Sequence, residues 1–437
     1  MARVALVFPY VRTRSATELL FPPLGVAALA AQLRRGGVET RVFDCTFSTL
    51  ERLRGELVAY GPDIVGVSSM VSLTRPTFAV ADLVRRELPG ALLVAGGPLP
   101  TVFPQRFSTR FDVVFRGEAD LSFPRFCADW PAPSTTAPDL AGLPLAGYDG
   151  LFMADHGRPV DNPAVHHSEA ELHAFPTPDR SDFDHAAYQA EWRRTTGVPT
   201  TSLIATLGCP FACDFCSKPI FGDVVRRRRL DAVLAEVDDL RALGYEGLWI
   251  ADDTFTLSRS YLEAFCRGMV GRGMTWSCLS RAEGLAPDTV RFMKEAGCRR
   301  VYLGLESGSE ATLELMNKRV SLADAERAVR LYRAAGIEVA AFFIVGYPGE
   351  TRAQVEQTFA LALRLPLDEI SFNVPYPLPG SALFARLGGP DDGRDWREEN
   401  DITFVYDSQF DEAWLRRRVA DTMAAFGARR QVRAAGR

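Results

Sequence analysis

Residues 201–216, "TSLIATLGCPFACDFC", join an apolar, β-branched run to three cysteines, Cys209, Cys213 and Cys216, set within eight positions of one another. The run reads as a strand, and the glycine and cysteines as the loop that leaves it. Downstream, "GLWIADD", "TWSCLS", "RRVYLGLESG", "EVAAFFIVGYPGE" and "EISFNVPYPLPG" repeat the strand pattern. Between them, "LDAVLAEVDDLRALG", "SRSYLEAFCRGMVGRG", "APDTVRFMKEAG", "SLADAERAVRLYRAAG" and "RAQVEQTFALALRL" carry helical periodicity. Six βα units over 200–390 predict a partial, TIM-like (β/α)6 barrel. Chemistry on such a sheet belongs at the C-terminal ends of the strands, so the cysteines fall at the expected mouth.

Residues 1–130 predict a second α/β unit. "RVALVFPY", "VETRVFD", "PDIVGVSSM", "ALLVAGGP" and "FDVVFRGEAD" alternate with helical stretches, including 49–60 and 76–88. That alternation implies a doubly wound, Rossmann-like parallel sheet, whose ligands sit beyond the carboxyl ends of its strands. Ser68, Ser69, Gly96, Gly97, Pro98, Gly117 and Glu118 fall there. Singly, each glycine reads as a turn residue; together these positions mark a ligand crevice. "PAPSTTAPDLAGLP" and "AFPTPDRSDFD" make 131–199 the connection between domains. It carries all five histidines, His156, His166, His167, His173 and His185, and the adjacent pair reads as solvated rather than metal-binding. Residues 391–437 end in a basic helical extension that packs on the barrel's exterior.

An apolar fraction of 47% and a charged fraction of 24% over 437 residues are those of an ordinary globular protein. A net charge of −5 supplies no basic field for nucleic acid, and the arginine runs at 226–229 and 416–418 read as helix starts or solvated faces. No 18-residue apolar stretch and no leader pattern is evident, so the expectation is a cytoplasmic protein without a membrane partner. In a reducing compartment, clustered cysteines are metal ligands or catalysts more often than disulfides. Structural zinc needs four ligands at characteristic spacing, which this chain lacks. Three thiolates suit a four-iron four-sulfur (4Fe–4S) cluster that leaves one iron open to another ligand.

The CxxxCxxC spacing behind the first strand of a six-unit barrel resembles the radical S-adenosylmethionine (SAM) superfamily, and Phe215 matches its aromatic position before the last cysteine. The resemblance covers 200 to about 390. It implies that the open iron is chelated by SAM, which is cleaved to a 5'-deoxyadenosyl radical, and that an electron donor such as flavodoxin or ferredoxin is needed. Asp252 and Asp253 stand where the family has a glycine-rich stretch meeting the SAM amino group, and one of them is expected to contact it while the other caps the next helix. Ser277 and Arg281, read as flanking the end of the third strand, and Glu306 with Ser307 match positions reaching the SAM ribose and methionine, while Gly346 and Tyr376 represent the segments holding adenine.

The N-terminal unit is similar to the cobalamin-binding domain that precedes many such barrels. The serines of "VGVSSM", the "GGP" and the "RGE" match in order and approximate spacing. The chain has no histidine before His156, which excludes a DxHxxG cobalt ligand. The resemblance implies cobalamin-dependent methyl transfer to an unactivated carbon of a small molecule in specialised metabolism. The competing reading is cobalamin-independent elimination, epimerisation or rearrangement, for example of an aminosugar diol. It requires an acid or base, for which Glu306, Asp253, Tyr347 and Tyr376 are the candidates. A methylthiotransferase is disfavoured because only Cys45 and Cys127 precede the barrel. Cys266, Cys278 and Cys298 read as core.

Overall fold

Strands β1 (Arg3–Phe8), β2 (Glu39–Asp44), β3 (Ile64–Ser68), β4 (Leu92–Gly96) and β5 (Val113–Phe115) pair in parallel in the order β2-β1-β3-β4-β5. Successive side chains on a strand point to opposite faces. Val4, Leu6, Ile64, Leu92 and Val94 therefore build one buried core, and Ala5, Val7, Val65, Leu93 and Ala95 the other. A sheet covered on both sides is apolar on both faces, which is why the inner strands read as near-continuous hydrophobic runs, while the edge strand β2 opens with the polar Glu39, Thr40 and Arg41. The order 2-1-3-4-5 places the topological switch between β1 and β3. The computed structural model describes residues 2–11, 20–131, 140, 142–154, 159–216, 221–387 and 404–435.

The chain parts into two units at Pro199 and Thr200. The segment read as a connection belongs to the first of them. β6 (Leu151–Met153) and β7 (Val160–Asp161) extend the sheet antiparallel beyond β5, so it is mixed rather than wholly parallel. Further on, Arg34 pairs with Asp179 at 2.6 Å, and Asp182 accepts the Val42 N–H at 2.7 Å. The Tyr188 hydroxyl donates to Asp44 at 2.6 Å. The proline-rich stretch at 174–184 is thus a clamped edge, while residues 132–139 and 141 of the other lie outside the described residues.

In the second unit β8 (Thr200–Leu203) leads into a small antiparallel pair, β9 (Thr206–Leu207) with β10 (Arg226–Arg227). Then come β11 (Gly247–Ile250), β12 (Thr275–Ser280), β13 (Cys298–Glu306), β14 (Glu338–Ile344) and β15 (Glu369–Asn373). Six of these strands form a parallel sheet in the order β15-β14-β13-β12-β11-β8, with the expected helices between them. Leu248, Ile250, Trp276, Val301, Leu303, Val339 and Phe343 share one core with Val237, Phe265, Met293, Val329 and Phe359 of the helices. Cys266, Cys278 and Cys298 lie in it, and burial pushes the Cys266 thiol up to about 12. The alternate residues Trp249, Ser277, Tyr302, Phe342 and Ser371 are only half-buried and belong to no core. Helices thus cover one face, and the alternate residues point to the other, the concave face of a partial barrel. The terminal helix Glu412–Ala435 adds Leu415 and Phe426 to the same core.

Candidate active site at the barrel mouth

The cysteine loop is built on a turn only glycine tolerates. Gly208 has φ +87°, and a Cβ there would stand 2.3 Å from the Val224 carbonyl oxygen. Beneath it, Asp252 accepts the Ala205 N–H at 2.7 Å, the Thr206 N–H at 2.8 Å and the Thr206 hydroxyl at 2.7 Å. Both carboxylate oxygens are engaged with the strand that carries the loop, and burial pushes the group up to about 7. Asp253, at the end of β11, keeps much of its residue surface exposed, but its carboxyl turns inward to accept the Gly208 N–H, and desolvation there raises its pKa despite that hydrogen bond. Arg226 is buried and donates to the Phe221 carbonyl at 2.8 Å, while Arg228 pairs with buried Glu236 at 2.7 Å. Of the arginine run expected on a solvated face or at a helix start, Arg229 is exposed at the start of the helix Leu230–Ala242, while Arg226 and Arg228 are drawn into the base of the loop by the Phe221 carbonyl and buried Glu236.

Cys209, Cys213 and Cys216 are half-buried. The loop between the last two is latched through Asp214. Its carboxylate accepts the Tyr347 hydroxyl at 2.6 Å and pairs with Arg386 at 2.8 Å. Its backbone N–H donates to Met316 O, and its carbonyl accepts from Leu383 N, each at 2.9 Å. Tyr347 is fully buried, and burial and Asp214 hold its hydroxyl well above the usual tyrosine range. That phenol is committed to holding the loop, which leaves no role for it as a mobile acid or base.

The rim carries local strain. Glu306, Asn317 and Arg319 are the non-glycine residues with positive φ, at 61°, 50° and 53° among the described residues. Such backbone costs energy and persists only where surroundings demand it. All three serve one contact. Lys318, between two of them, meets Glu306 at 2.7 Å, both side chains below 10% exposed. The same turn sends Asn317 Nδ2 to the Ala212 carbonyl at 2.6 Å, and Lys318 lies 5.9 Å from the Phe215 ring centre. Arg281 donates to the Lys318 carbonyl at 2.7 Å and lies 3.5 Å over the Phe211 ring. One of its nitrogens stands 4.0 Å from Cys213 Sγ.

Other expected residues take different positions. Ser277 lies in the middle of β12 on the concave face, not at the strand's end, because the strand runs on to Ser280. Ser307 is buried, its hydroxyl 3.0 Å from that of Thr358. Gly346 (φ +79°) faces the Phe404 and Leu415 side chains, which a Cβ would approach to 2.7 and 3.1 Å. Tyr376 is half-buried beyond β15.

No three Cys, His, Asp or Glu side chains among the described residues converge on the position of one metal ion. Arg281 and Lys318 stand beside the cysteine loop, each paired with a carboxylate, Glu283 at 2.6 Å and Glu306 at 2.7 Å. Sequence reasoning missed Asp214, Lys318 and Arg386, whose partners lie far away along the chain.

In the first unit the Ser69 Oγ is buried without a hydrogen-bond partner at the end of β3. A Cβ on Gly97 (φ +106°) would stand 2.7 Å from Ser69 O, whereas one on Gly96 would meet nothing nearer than 3.8 Å. Gly97 is thus needed by the backbone itself, and Pro98 opens the short helix after it. A side chain at Gly96 would meet no clash, and the orphaned Ser69 hydroxyl follows the neighbouring strand β3, which fits a ligand at the strand ends. Gly117 would collide with Val165 O at 2.9 Å, and Glu118 accepts the His167 N–H at 2.7 Å. His167, read as solvated, is instead 4% exposed, edge-on to Phe175 at 5.1 Å and 3.8 Å from Asp120. The strand end folds the loop over it. His166 is exposed, and His156 lies outside the described residues.

Comparison with known proteins adds to this geometry. The radical SAM superfamily profile matches residues 203–362, and the B12-binding domain profile matches residues 14–126. The chain is 30% identical over 374 residues to an uncharacterized methyltransferase of Pyrococcus horikoshii, covering 83% of this chain and 78% of that protein. It is 27% identical over 402 residues to an anaerobic magnesium-protoporphyrin IX monomethyl ester cyclase of Rubrivivax gelatinosus, covering 88% and 69%. Among solved structures, the radical SAM methyltransferase TsrM from Kitasatospora setae, with cobalamin and an iron–sulfur cluster bound, superposes with TM-score 0.73 at 20% identity over 89% of this chain and 75% of that one. The cobalamin-dependent SAM radical enzyme OxsB gives 0.72 at 18% identity over 84% of this chain, which spans about half, 53%, of OxsB.

Proposed function

Because the chain belongs to the radical SAM superfamily and carries a B12-binding domain ahead of its barrel, we propose that it is a cobalamin-dependent radical SAM methyltransferase acting on a small molecule. The observation that carries this reading is the pairing of both domains on one chain, aligned over most of its length with a methyltransferase. When bound, the cluster, SAM and cobalamin supply hydrogen abstraction from carbon and a transferable methyl group. The chain's own residues do the positioning.

Cys209, Cys213 and Cys216 hold the cluster on a loop fixed by Gly208, Asp252 and Asp214. Asp253, the more exposed residue of the pair, receives the SAM ammonium, while Arg281 and the Glu306–Lys318 pair shape the methionine side. Gly346 and Tyr376 border the adenine, and Ser307 contributes through its backbone because its hydroxyl is spent on Thr358. Ser68, Ser69 and Gly96 line the cobalamin crevice, with Gly97, Pro98, Gly117 and Glu118 shaping its loops. A small flavodoxin or ferredoxin supplies electrons in the cytoplasm.

The test is anaerobic reconstitution with iron, sulfide and hydroxocobalamin, followed by desalting. One cobalt per chain with methyl transfer from labelled SAM supports the reading. SAM cleavage without bound cobalt overturns it in favour of elimination or rearrangement.

A further inference from the structure

The concave face of the six-stranded sheet has an order of its own. At the bottom, Arg300 pairs with Glu338 at 2.6 Å and with Glu369 at 2.7 Å, tying three strands across the floor. At the top sits the Glu306–Lys318 pair. Between them stand three rings. Trp249 meets Tyr302 edge-to-face with centroids 4.9 Å apart at 86°, and Tyr302 stacks on Phe342 at 5.7 Å and 21°. Strand register explains how they meet. Trp249 lies opposite Ser277 on β12, Tyr302 opposite Ala340 on β14, and Phe342 opposite both Gly304 on β13 and Ser371 on β15. Trp249 and Phe342 stand beside small residues, while Tyr302 has Leu279 opposite it on β12 and the Arg300 guanidinium 5.9 Å from its ring centre.

Half-buried Trp, Tyr and Phe that belong to no core leave apolar surface unpaid for in the free protein. Aromatic rings also attract one another beyond what area alone provides. At the rim one cation meets one carboxylate and at the floor Arg300 answers two, so every cation among these ionic groups is paired and the ring surface lies between them.

We infer that Trp249, Tyr302 and Phe342 form the wall against which a flat, uncharged aromatic ring of the substrate lies. This specifies the substrate class for the methyltransferase proposed above and rests on that reading. The ring anchors the substrate below the cysteine loop, presenting its attached carbon towards the mouth.

The experiment uses the full-length reconstituted holoenzyme and two neutral probes of one skeleton, 2-naphthol and decahydro-2-naphthol, with binding followed by saturation-transfer NMR. Phe342→Leu and Trp249→Leu keep apolar bulk and remove the π face; both are checked for iron content and circular dichroism. The expected result is saturable 2-naphthol binding, at least about threefold tighter than that of the saturated probe. Each substitution weakens naphthol about 2- to 12-fold, the equivalent of one lost aromatic pair, and leaves decahydro-2-naphthol unchanged. Equal binding of the two probes, absent naphthol binding, or indifference to both substitutions overturns the inference. Cobalt content and SAM cleavage are measured on the same preparations. A failed wall leaves those intact, whereas missing cobalt defeats the methyltransferase reading without touching the naphthol result, because the wall lies wholly within the barrel unit.

Discussion

At the scale of single residues, the barrel mouth is governed by charges placed to hold thiols rather than to react. Asp214 sits between Cys213 and Cys216 and is balanced by Arg386. An unbalanced carboxylate beside a cluster disfavours the added electron, and its loss favours it. Arg386→Gln is therefore expected to lower the cluster's midpoint potential and Asp214→Asn to raise it, each by on the order of tens of millivolts in this partly solvated setting. The double substitution returns near the parent value. EPR-monitored redox titration checks this, and shifts of one sign in both single variants would refute the balance. A second consequence concerns Asp252 and Glu350, both pushed up to about 7 by burial. Folding favours their protonated forms, so their contribution is complete below about pH 4 and is lost as pH rises to about 7. Carboxylates held low by partners, such as Asp231 and Asp324, titrate beneath that window. The urea midpoint of the barrel unit should fall from pH 5 to pH 7 and flatten above; a rise across that interval would contradict the assignment.

At the scale of elements, the six barrel strands were legible because their hydrophobic runs alternate with well-separated helical periods, and the cysteine motif stood directly behind the first of them. The concave face was legible in principle too: in "VYLGLE", Val301, Leu303 and Leu305 go to the core while Tyr302, Gly304 and Glu306 go to the other side. What could not be read is contact between distant segments. Nothing local marks Asp214 as the partner of Tyr347 and Arg386, and a proline-rich stretch looks the same whether it is free or clamped by Asp179 and Asp182. The terminal helix is a like case. Its basic sequence suggested exterior packing but did not show which residues make it: Leu415 is fully buried against Gly346 and Arg418 pairs with Glu356 of the outer helix Arg352–Arg364 at 2.6 Å. Leu415→Ala should cost the barrel unit about 2–5 kcal/mol. Hydrogen exchange would show it as lost protection around Gly346 and the helix Arg352–Arg364, with the first unit's sheet unchanged; uniform loss across both units would refute local packing.

At the scale of the whole molecule, the chain consists of two units with separate cores, each carrying the fittings for a different cofactor. Independent cores imply independent loading, because a group bound at one unit's strand ends stabilises that unit first. Gly96 is the place to test this in the first unit. A Cβ there would meet only the Phe115 carbonyl oxygen, at 3.8 Å, so Gly96→Leu adds bulk at the strand end without a backbone clash, whereas a change at Gly97 would break the loop and confuse lost binding with lost structure. In the second unit, Cys213→Ala removes a cluster thiol from a half-buried loop at little cost to the core. The expected outcome is a crossed pattern: Gly96→Leu keeps about four irons per chain and loses cobalt, and Cys213→Ala keeps cobalt and loses most iron. SAM cleavage survives the first change and not the second, while methyl transfer survives neither. Metal analysis beside product detection reads all of these. Loss of both metals in either variant would mean that the units assemble their cofactors together, and that the chain works as one folding body despite its two cores.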